Sequence, residues 1–232
     1  MRLSGSPRVY LGVTLAVICG VAIILEPAAL GINIGGADAA WRLGRWFYLP
    51  AGIFWLLVSP LWIRYRWLLP KSIIGMAIGL LLILPTWLAL VQLRQAGALA
   101  LLAIMGGVWL ADIAAYFSGR AFGKHKLAPN ISPGKTWEGA IGAMLAVLAY
   151  GFILSQRLPP VFSENPLLLF GVLIFLTALS IIGDLFESLL KRQAGLKDSS
   201  NVLPGHGGVL DRIDSLTSTL PLLAMLWLIV LH

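Results

Sequence analysis

The chain has 232 residues, of which 59% are hydrophobic and only 12% charged, and its mean hydropathy is +0.89. Soluble domains carry about 25% charged residues, so this composition excludes a disordered chain, a disulfide scaffold and an ordinary soluble enzyme. The formal charge of +7 would suggest nucleic-acid binding in a soluble protein. Here the hydropathy takes precedence and indicates an integral membrane protein that binds no nucleic acid. The single cysteine, Cys19, excludes a cysteine-based zinc or redox centre.

Seven apolar stretches are long enough to span a membrane, which takes about 20 residues in a helix. In chain order they lie at 9–31, 46–63, 72–91, 98–118, 139–156, 166–187 and 216–231. The first stretch resembles a secretory signal, but it is too long for one, so a retained helix is favoured. The sequence therefore predicts an all-α, polytopic membrane helix bundle with about seven transmembrane helices.

Lysine and arginine residues collect on one side of the predicted spans. Four of the 17 fall on the opposite side, namely Arg42, Arg45, Arg94 and Arg157. Because basic residues are enriched in cytoplasmic connections, the N-terminus and the connections after the second, fourth and sixth spans are predicted to be cytoplasmic. We expect a multi-pass protein of the inner or plasma membrane.

Seven of the ten acidic residues fall in two blocks, 112–139 and 184–215, at the predicted cytoplasmic side. A carboxylate at the bilayer centre costs about 2.5–3.5 kcal/mol, so these groups must face a polar cavity, a cation or basic partners. Helical spacing places three polar sets on one helix face each. The sets are Asp112 with Tyr116; Asp184 with Glu187, Ser188 and Lys191; and Asp211 with Asp214 and Ser215.

Three such faces would form an oxygen-rich pocket that opens to the cytoplasm. Mg²⁺ suits these ligands, because it is usually bound through one or two carboxylates plus substrate phosphates. Simple ion pairs are the alternative, and for Asp198 beside Lys197 the two interpretations stay open. For Asp184 and Asp211 the interpretation as metal ligands is favoured over that as ion pairs.

Two glycine-rich basic loops, 119–139 and 191–215, surround the acids. In the first, the segment from Ser132 through Lys135 leads into a predicted helix, and a lysine beside free backbone N–H groups favours anion binding. It only imitates a Walker loop, since no strand is predicted before it. In the second, glycines around His206 allow close approach of a ligand to the backbone. His125 and His232 are interpreted as a solvent-exposed loop residue and the chain end.

The second loop carries a specific pattern. Residues 188–215, SLLKRQAGLKDSSNVLPGHGGVLDRIDS, resemble the signature S-x-x-K-R-x4-K-D-x5-P-G-H-G-G-x-x-D-R-x-D of the phosphatidate cytidylyltransferase family, the CDP-diacylglycerol synthases. The matching positions are Ser188, Lys191, Arg192, Lys197, Asp198, Pro204, Gly205, His206, Gly207, Gly208, Asp211, Arg212 and Asp214. The block 112–139 is also similar to the family's middle region. Bacterial members are often longer at the N-terminus, so one or two helices are expected to be missing.

The resemblance implies transfer of the CMP moiety of CTP to phosphatidic acid, giving CDP-diacylglycerol and pyrophosphate for phospholipid biosynthesis. It implies N-terminal transmembrane helices over 1–95 and a catalytic transmembrane domain over 96–232. The substrates are then CTP and phosphatidic acid, the cofactor is Mg²⁺ with room for a second cation, and a homodimer is compatible with this interpretation.

Roles for individual residues follow from the pattern and the resemblance together. The expected metal ligands are Asp184, Asp211, Asp214 and Asp112. The expected catalytic set is Asp184, Lys191, Arg192, Lys197, Asp198, His206, Asp211, Arg212 and Asp214, in which the basic residues contact phosphates. The expected substrate-binding residues are Ser132, Lys135, Ser188, Gly205, Gly207 and Gly208.

Two other functions use similar elements. A CTP-dependent lipid or polyprenol kinase would transfer the γ-phosphoryl group instead of CMP. A cation or proton transporter would also place acids in the membrane, but distributed along its depth. Because the acids here gather at one side beside basic loops, the nucleotidyltransferase is favoured.

Overall fold

The computed structural model describes residues 37–70, 73–95, 97–200 and 208–231. Its elements in chain order are α1 (Ala37–Ile53), a π-helical turn (Phe54–Val58), α2 (Ser59–Tyr65), α3 (Ile73–Gln95), α4 (Ala98–Phe122), β1 (Lys126–Ala128), β2 (Ser132–Thr136), α5 (Trp137–Leu154), a 3₁₀ turn (Ser155–Arg157), α6 (Pro160–Ser163), α7 (Pro166–Gln193) and α8 (Leu210–Leu231).

Six helical segments in this part of the chain are long and apolar enough to cross a membrane. They are Gly44–Tyr65, Ile73–Gln95, Ala98–Phe122, Trp137–Arg157, Pro166–Gln193 and Leu210–Val230. They confirm the predicted helical membrane bundle, while the predicted span 9–31 lies outside the described residues. Both α7 and α8 extend beyond the predicted spans at their polar ends. These extra turns carry Lys191 and Asp211, which pair with each other, so a hydropathy pattern alone could not include them.

The span Gly44–Tyr65 contains a π-helical turn just before Pro60. Proline has no N–H for the helical ladder and crowds the preceding turn, so it disturbs the regular α-helical pattern there. The rings of Phe54, Trp55 and Trp62 each lie 5.3–5.6 Å from the ring of Phe186 on α7, in edge-to-face contacts. These four rings form an aromatic cluster that joins the span Gly44–Tyr65 to α7.

A second core joins helices from both halves of the chain. Tyr48 of α1 and Leu88 of α3 are buried with Leu216 and Leu220 of α8. The hydroxyl of Tyr48 donates to Gln92 Oε1 at 2.7 Å, which satisfies two polar groups inside this core. The division of the chain at residue 95 stays a prediction, and helices from both sides of that position share this core.

Strands β1 and β2 form an antiparallel hairpin between α4 and α5, with Lys126 opposite Thr136 and Ala128 opposite Ser132. The expectation that no strand precedes the Ser132–Thr136 segment was wrong, since β1 precedes it and the segment itself forms β2. Pro133 and Gly134 have low strand propensity, so tertiary contacts set the pairing. Ile131 at the tip of the hairpin is only 5% exposed and packs into the aromatic cluster.

Three basic connections meet at one end of the bundle. The side-chain amide of Gln193, at the end of α7, donates to Trp67 O at 2.7 Å and accepts from Leu69 N at 3.0 Å. The neighbouring Arg192 donates from Nε to Ile131 O at 3.4 Å. The connections after the second, fourth and sixth predicted spans therefore lie together, as the charge pattern predicted.

Candidate functional site

Three carboxylates from three helices converge near this end of the bundle. Asp112 of α4 lies close enough to Asp184 of α7 and Asp214 of α8 for electrostatic repulsion, and Asp214 is likewise close to Asp184. Ser215 Oγ donates to Asp112 Oδ1 at 3.3 Å, which links α8 to α4 directly. We call Asp112, Asp184 and Asp214 the acid cluster.

The hairpin contributes a cation to the acid cluster. Lys135 of β2 places Nζ 2.5 Å from Asp184 Oδ2, with the two side chains 21% and 30% exposed. Ser188, one turn along α7, donates to Asp184 Oδ1 at 3.4 Å. The lysine predicted to bind phosphate and an aspartate predicted to bind metal are therefore in direct contact.

A second charged group lies beside the acid cluster and is more deeply buried. Lys191 Nζ lies 2.6 Å from Glu187 Oε2 and 2.7 Å from Asp211 Oδ1. We call Glu187, Lys191 and Asp211 the lysine triad. The other oxygen of Glu187, Oε1, accepts no hydrogen bond from any described residue. Helical spacing had placed Glu187 on the polar face of α7 with Lys191, but no metal-binding, catalytic or substrate-binding role was predicted for it.

Asp211 also fixes the loop between α7 and α8. Its Oδ2 accepts from Ser199 N and Ser199 Oγ, both at 2.8 Å, and from Gly208 N at 2.7 Å. A side chain on Gly208 would collide with Ser199, so a glycine is needed for this close approach. Ser199 is a further residue that the sequence pattern did not identify.

The other predicted site residues that the structure describes lie outside the ion pairs of the acid cluster and the lysine triad. Arg192, Lys197, Asp198 and Arg212 are exposed, and Ser132 is half-buried in β2. Lys197 and Asp198 form no ion pair with each other or with another described residue. Gly205, His206 and Gly207 lie outside the described part of the chain, as does His232. His125 is exposed as predicted, but it is also bound to Glu138.

The donor set of the acid cluster fits Mg²⁺. Carboxylate oxygens are the ligands this ion prefers, and it needs only one or two of them when substrate phosphates supply the rest. Within residues 37–70, 73–95, 97–200 and 208–231 no group of three or more His, Cys, Asp or Glu side chains is arranged to hold a metal ion. Asp211, a predicted ligand, has both oxygens engaged by Lys191, Ser199 and Gly208. Asp184 also has both oxygens engaged, by Lys135 and Ser188, so either aspartate would have to release a partner to bind the ion.

The fold and the site together define a multi-pass membrane protein with paired lysines and carboxylates at one end of its bundle. A family model described as the cytidylyltransferase family matches residues 9–230. The chain is 49% identical over 192 residues to a phosphatidate cytidylyltransferase of Pseudomonas aeruginosa, covering 77% of this chain and 68% of that protein.

Two further relatives carry the same name. The Haemophilus influenzae protein is 49% identical over 142 residues, covering 58% of this chain and 48% of that protein. The Brucella suis protein is 51% identical over 117 residues, covering 50% of this chain and 42% of that protein. The chain thus spans about half or less of the length of these two relatives. It belongs to the cytidylyltransferase family.

Proposed function

We propose that the chain transfers the CMP moiety of CTP to phosphatidic acid, producing CDP-diacylglycerol and pyrophosphate for phospholipid biosynthesis. The family match over residues 9–230 and the name shared by the relatives support this reaction. The observation that carries the proposal is the placement of two lysines, Lys135 and Lys191, on carboxylates of two neighbouring helices, α7 and α8. Such a site can exchange carboxylate partners for phosphates.

The proposed reaction needs no side-chain nucleophile. A phosphate monoester has a second pKa of about 6 and is largely dianionic at neutral pH. An oxygen of the lipid phosphate can therefore attack the α-phosphorus of CTP directly, while the bond to the pyrophosphate oxygen breaks. The work left to the protein is positioning and charge neutralisation.

The lysines and the exposed basic residues supply that neutralisation. Lys135 enters the site from β2, and Lys191 enters from the last turns of α7. We assign Lys135 and Lys191 to the phosphates of CTP, where each would leave its carboxylate for a phosphate oxygen. Arg192, Lys197 and Arg212 are exposed on the connection between α7 and α8 and at its ends, and we assign them to short-range contacts with the phosphates of CTP or of the lipid.

Mg²⁺ is part of the proposal, with Asp112, Asp184 and Asp214 as its ligands and Asp211 as a further one. When bound, the ion would neutralise charge on the triphosphate and on the leaving pyrophosphate, and a second cation could share this task. Ser188, which donates to Asp184, would keep that carboxylate oriented.

The site is proposed to face the cytoplasm of an inner or plasma membrane. The bias of lysine and arginine toward the connections that meet at this end supports this orientation. Phosphatidic acid would then reach the site laterally from the bilayer, and CTP from the aqueous side. A homodimer stays a prediction.

The test is an assay of the purified protein in detergent with phosphatidic acid, Mg²⁺ and CTP labelled at either the α- or the γ-phosphate. We expect α-label in the lipid product and γ-label in pyrophosphate. Transfer of γ-label to the lipid would instead identify a kinase. Cation flux in proteoliposomes without nucleotide turnover would identify a transporter.

A further inference from the structure

Glu138 is an acidic residue that the proposed reaction does not use, yet it makes several hydrogen bonds. It lies in the first turn of α5. Its Oε1 and Oε2 each accept from His125 N at 3.2 Å, and its Oε1 lies 2.7 Å from His125 Nδ1. These contacts tie the residue just before β1 to the first turn of α5, which follows β2 directly.

The base of the hairpin is closed by other contacts at the same level. Trp137 N donates to His125 O at 3.0 Å. The buried hydroxyl of Thr136 accepts from Gly139 N at 3.1 Å and so caps α5. A side chain on Gly119 or Gly123 would collide with Thr136, so α4 provides a close-fitting wall behind it. The base of the hairpin is therefore attached to both α4 and α5.

Lys135 projects from the strand between this base and the buried tip at Ile131. It is adjacent to Thr136 in the chain and reaches Asp184 on α7. Because only one residue separates it from the first turn of α5, the position of the base sets the position of its ammonium group. A hairpin released at its base could let Lys135 move away from the acid cluster.

We infer that Glu138 and His125 are positioning residues, whose contacts hold the hairpin so that Lys135 reaches the acid cluster. This role in turnover rests on the proposed function, whereas the role in placing Lys135 does not. Neither residue touches a substrate in this assignment.

The contacts differ in strength, so the variants should form a graded series. The His125 side chain is 77% exposed, and exposed charge pairs contribute little to stability. The backbone N–H of His125 donates to an ionised carboxylate, which is a stronger, charge-assisted bond. His125→Ala keeps that bond and should have the smallest effect. Glu138→Gln keeps one acceptor oxygen and should be intermediate, and Glu138→Ala should have the largest effect.

The test measures the accessibility of Lys135 without any turnover. The purified protein in detergent is treated briefly with a water-soluble amine-acetylating reagent, and the modified lysines are quantified by mass spectrometry. Lys197, exposed in the other basic loop, is the reference within each sample. We expect the ratio of Lys135 to Lys197 modification to rise several-fold in Glu138→Ala, less in Glu138→Gln and least in His125→Ala. Glu164→Ala, which removes an exposed acid from another connection, should leave the ratio unchanged.

Turnover is measured on the same samples. We expect a raised KM for CTP in the order of the labelling, and no additional loss when Glu138→Gln is added to a Lys135→Gln chain. An unchanged labelling ratio in both folded Glu138 variants would overturn the inference. If labelling rises as expected while no variant, including wild type, transfers CMP, the hairpin assignment holds and the proposed function fails. The inference would also be overturned if Glu138→Gln lowered CMP transfer by the same factor in wild type and in the Lys135→Gln chain, since Glu138 would then not act through Lys135.

Discussion

Replacement of Lys191 by methionine tests the lysine triad most directly. Its ammonium group lies between Glu187 Oε2 and Asp211 Oδ1, at 2.6 and 2.7 Å. The side chains of Glu187 and Asp211 are only 7% and 8% exposed, and that of Lys191 is 19% exposed. Methionine preserves most of the volume of the lysine stem but leaves two neighbouring carboxylates without their shared cation.

The expected cost follows from this burial. Removing one partner of a buried ion pair destabilises a protein by about 3–5 kcal/mol, because the remaining charge stays desolvated. Lys191 is partly exposed, so we expect the lower end, about 3 kcal/mol. The second replacement Glu187→Gln removes one of the stranded charges. Asp211 still accepts hydrogen bonds from Ser199 and Gly208, so the double variant should recover more than half of the loss.

The assay is reversible unfolding in mixed detergent micelles, followed by circular dichroism. Lys124→Met, which removes an exposed lysine from the hairpin connection, is the matched control and should unfold like wild type. The reasoning is refuted if Lys191→Met is as stable as the control. It is also refuted if adding Glu187→Gln makes the protein less stable still, since Lys191 would then not be the partner of Glu187.

Further predictions concern catalysis, topology and charge. Asp184→Asn should lower turnover at limiting Mg²⁺ by at least about 100-fold, equivalent to about 2.7 kcal/mol of transition-state stabilisation; near wild-type turnover in the folded variant would contradict its role. After the native cysteine is replaced, Leu196→Cys should react with impermeant thiol reagents only from the cytoplasmic side and Glu164→Cys only from the other side, and the reverse labelling would overturn the orientation. Lys197→Gln should reduce turnover more than Lys71→Gln even at high salt, where long-range attraction is screened; equal effects would show that Lys197 only attracts anionic lipid.

The spans could be predicted from sequence because each is a continuous apolar run, and lipid allows only helices for such a chain. The polar ends of the spans were harder to place. The last turns of α7 and the first turn of α8 carry Lys191 and Asp211, which a hydropathy count excludes from the spans although both are helical and form an ion pair with each other. Local composition cannot reveal a pair separated by a loop.

The hairpin was not predicted for a similar reason. The Ser132–Thr136 strand contains a proline and a glycine, so its own residues do not favour a strand. It is held by Ile131 in the aromatic cluster, by Thr136 against Gly119 of α4 and by Glu138 at its base. The sequence identified Lys135 as a phosphate-binding candidate, but its contact with Asp184 depends on this tertiary arrangement.

The charges of the site explain why it requires added positive charge for the proposed reaction. The acid cluster and the lysine triad together hold five carboxylates, whereas among the described residues two lysines, Lys135 and Lys191, pair with them. Such an excess of acids, placed in a membrane bundle, would repel a nucleoside triphosphate and a lipid phosphate. Bound to the acid cluster, the proposed Mg²⁺ would offset this excess, and Asp184 would then hold Lys135 less strongly. The same exchange that neutralises the carboxylates would therefore make a lysine available to the incoming phosphates.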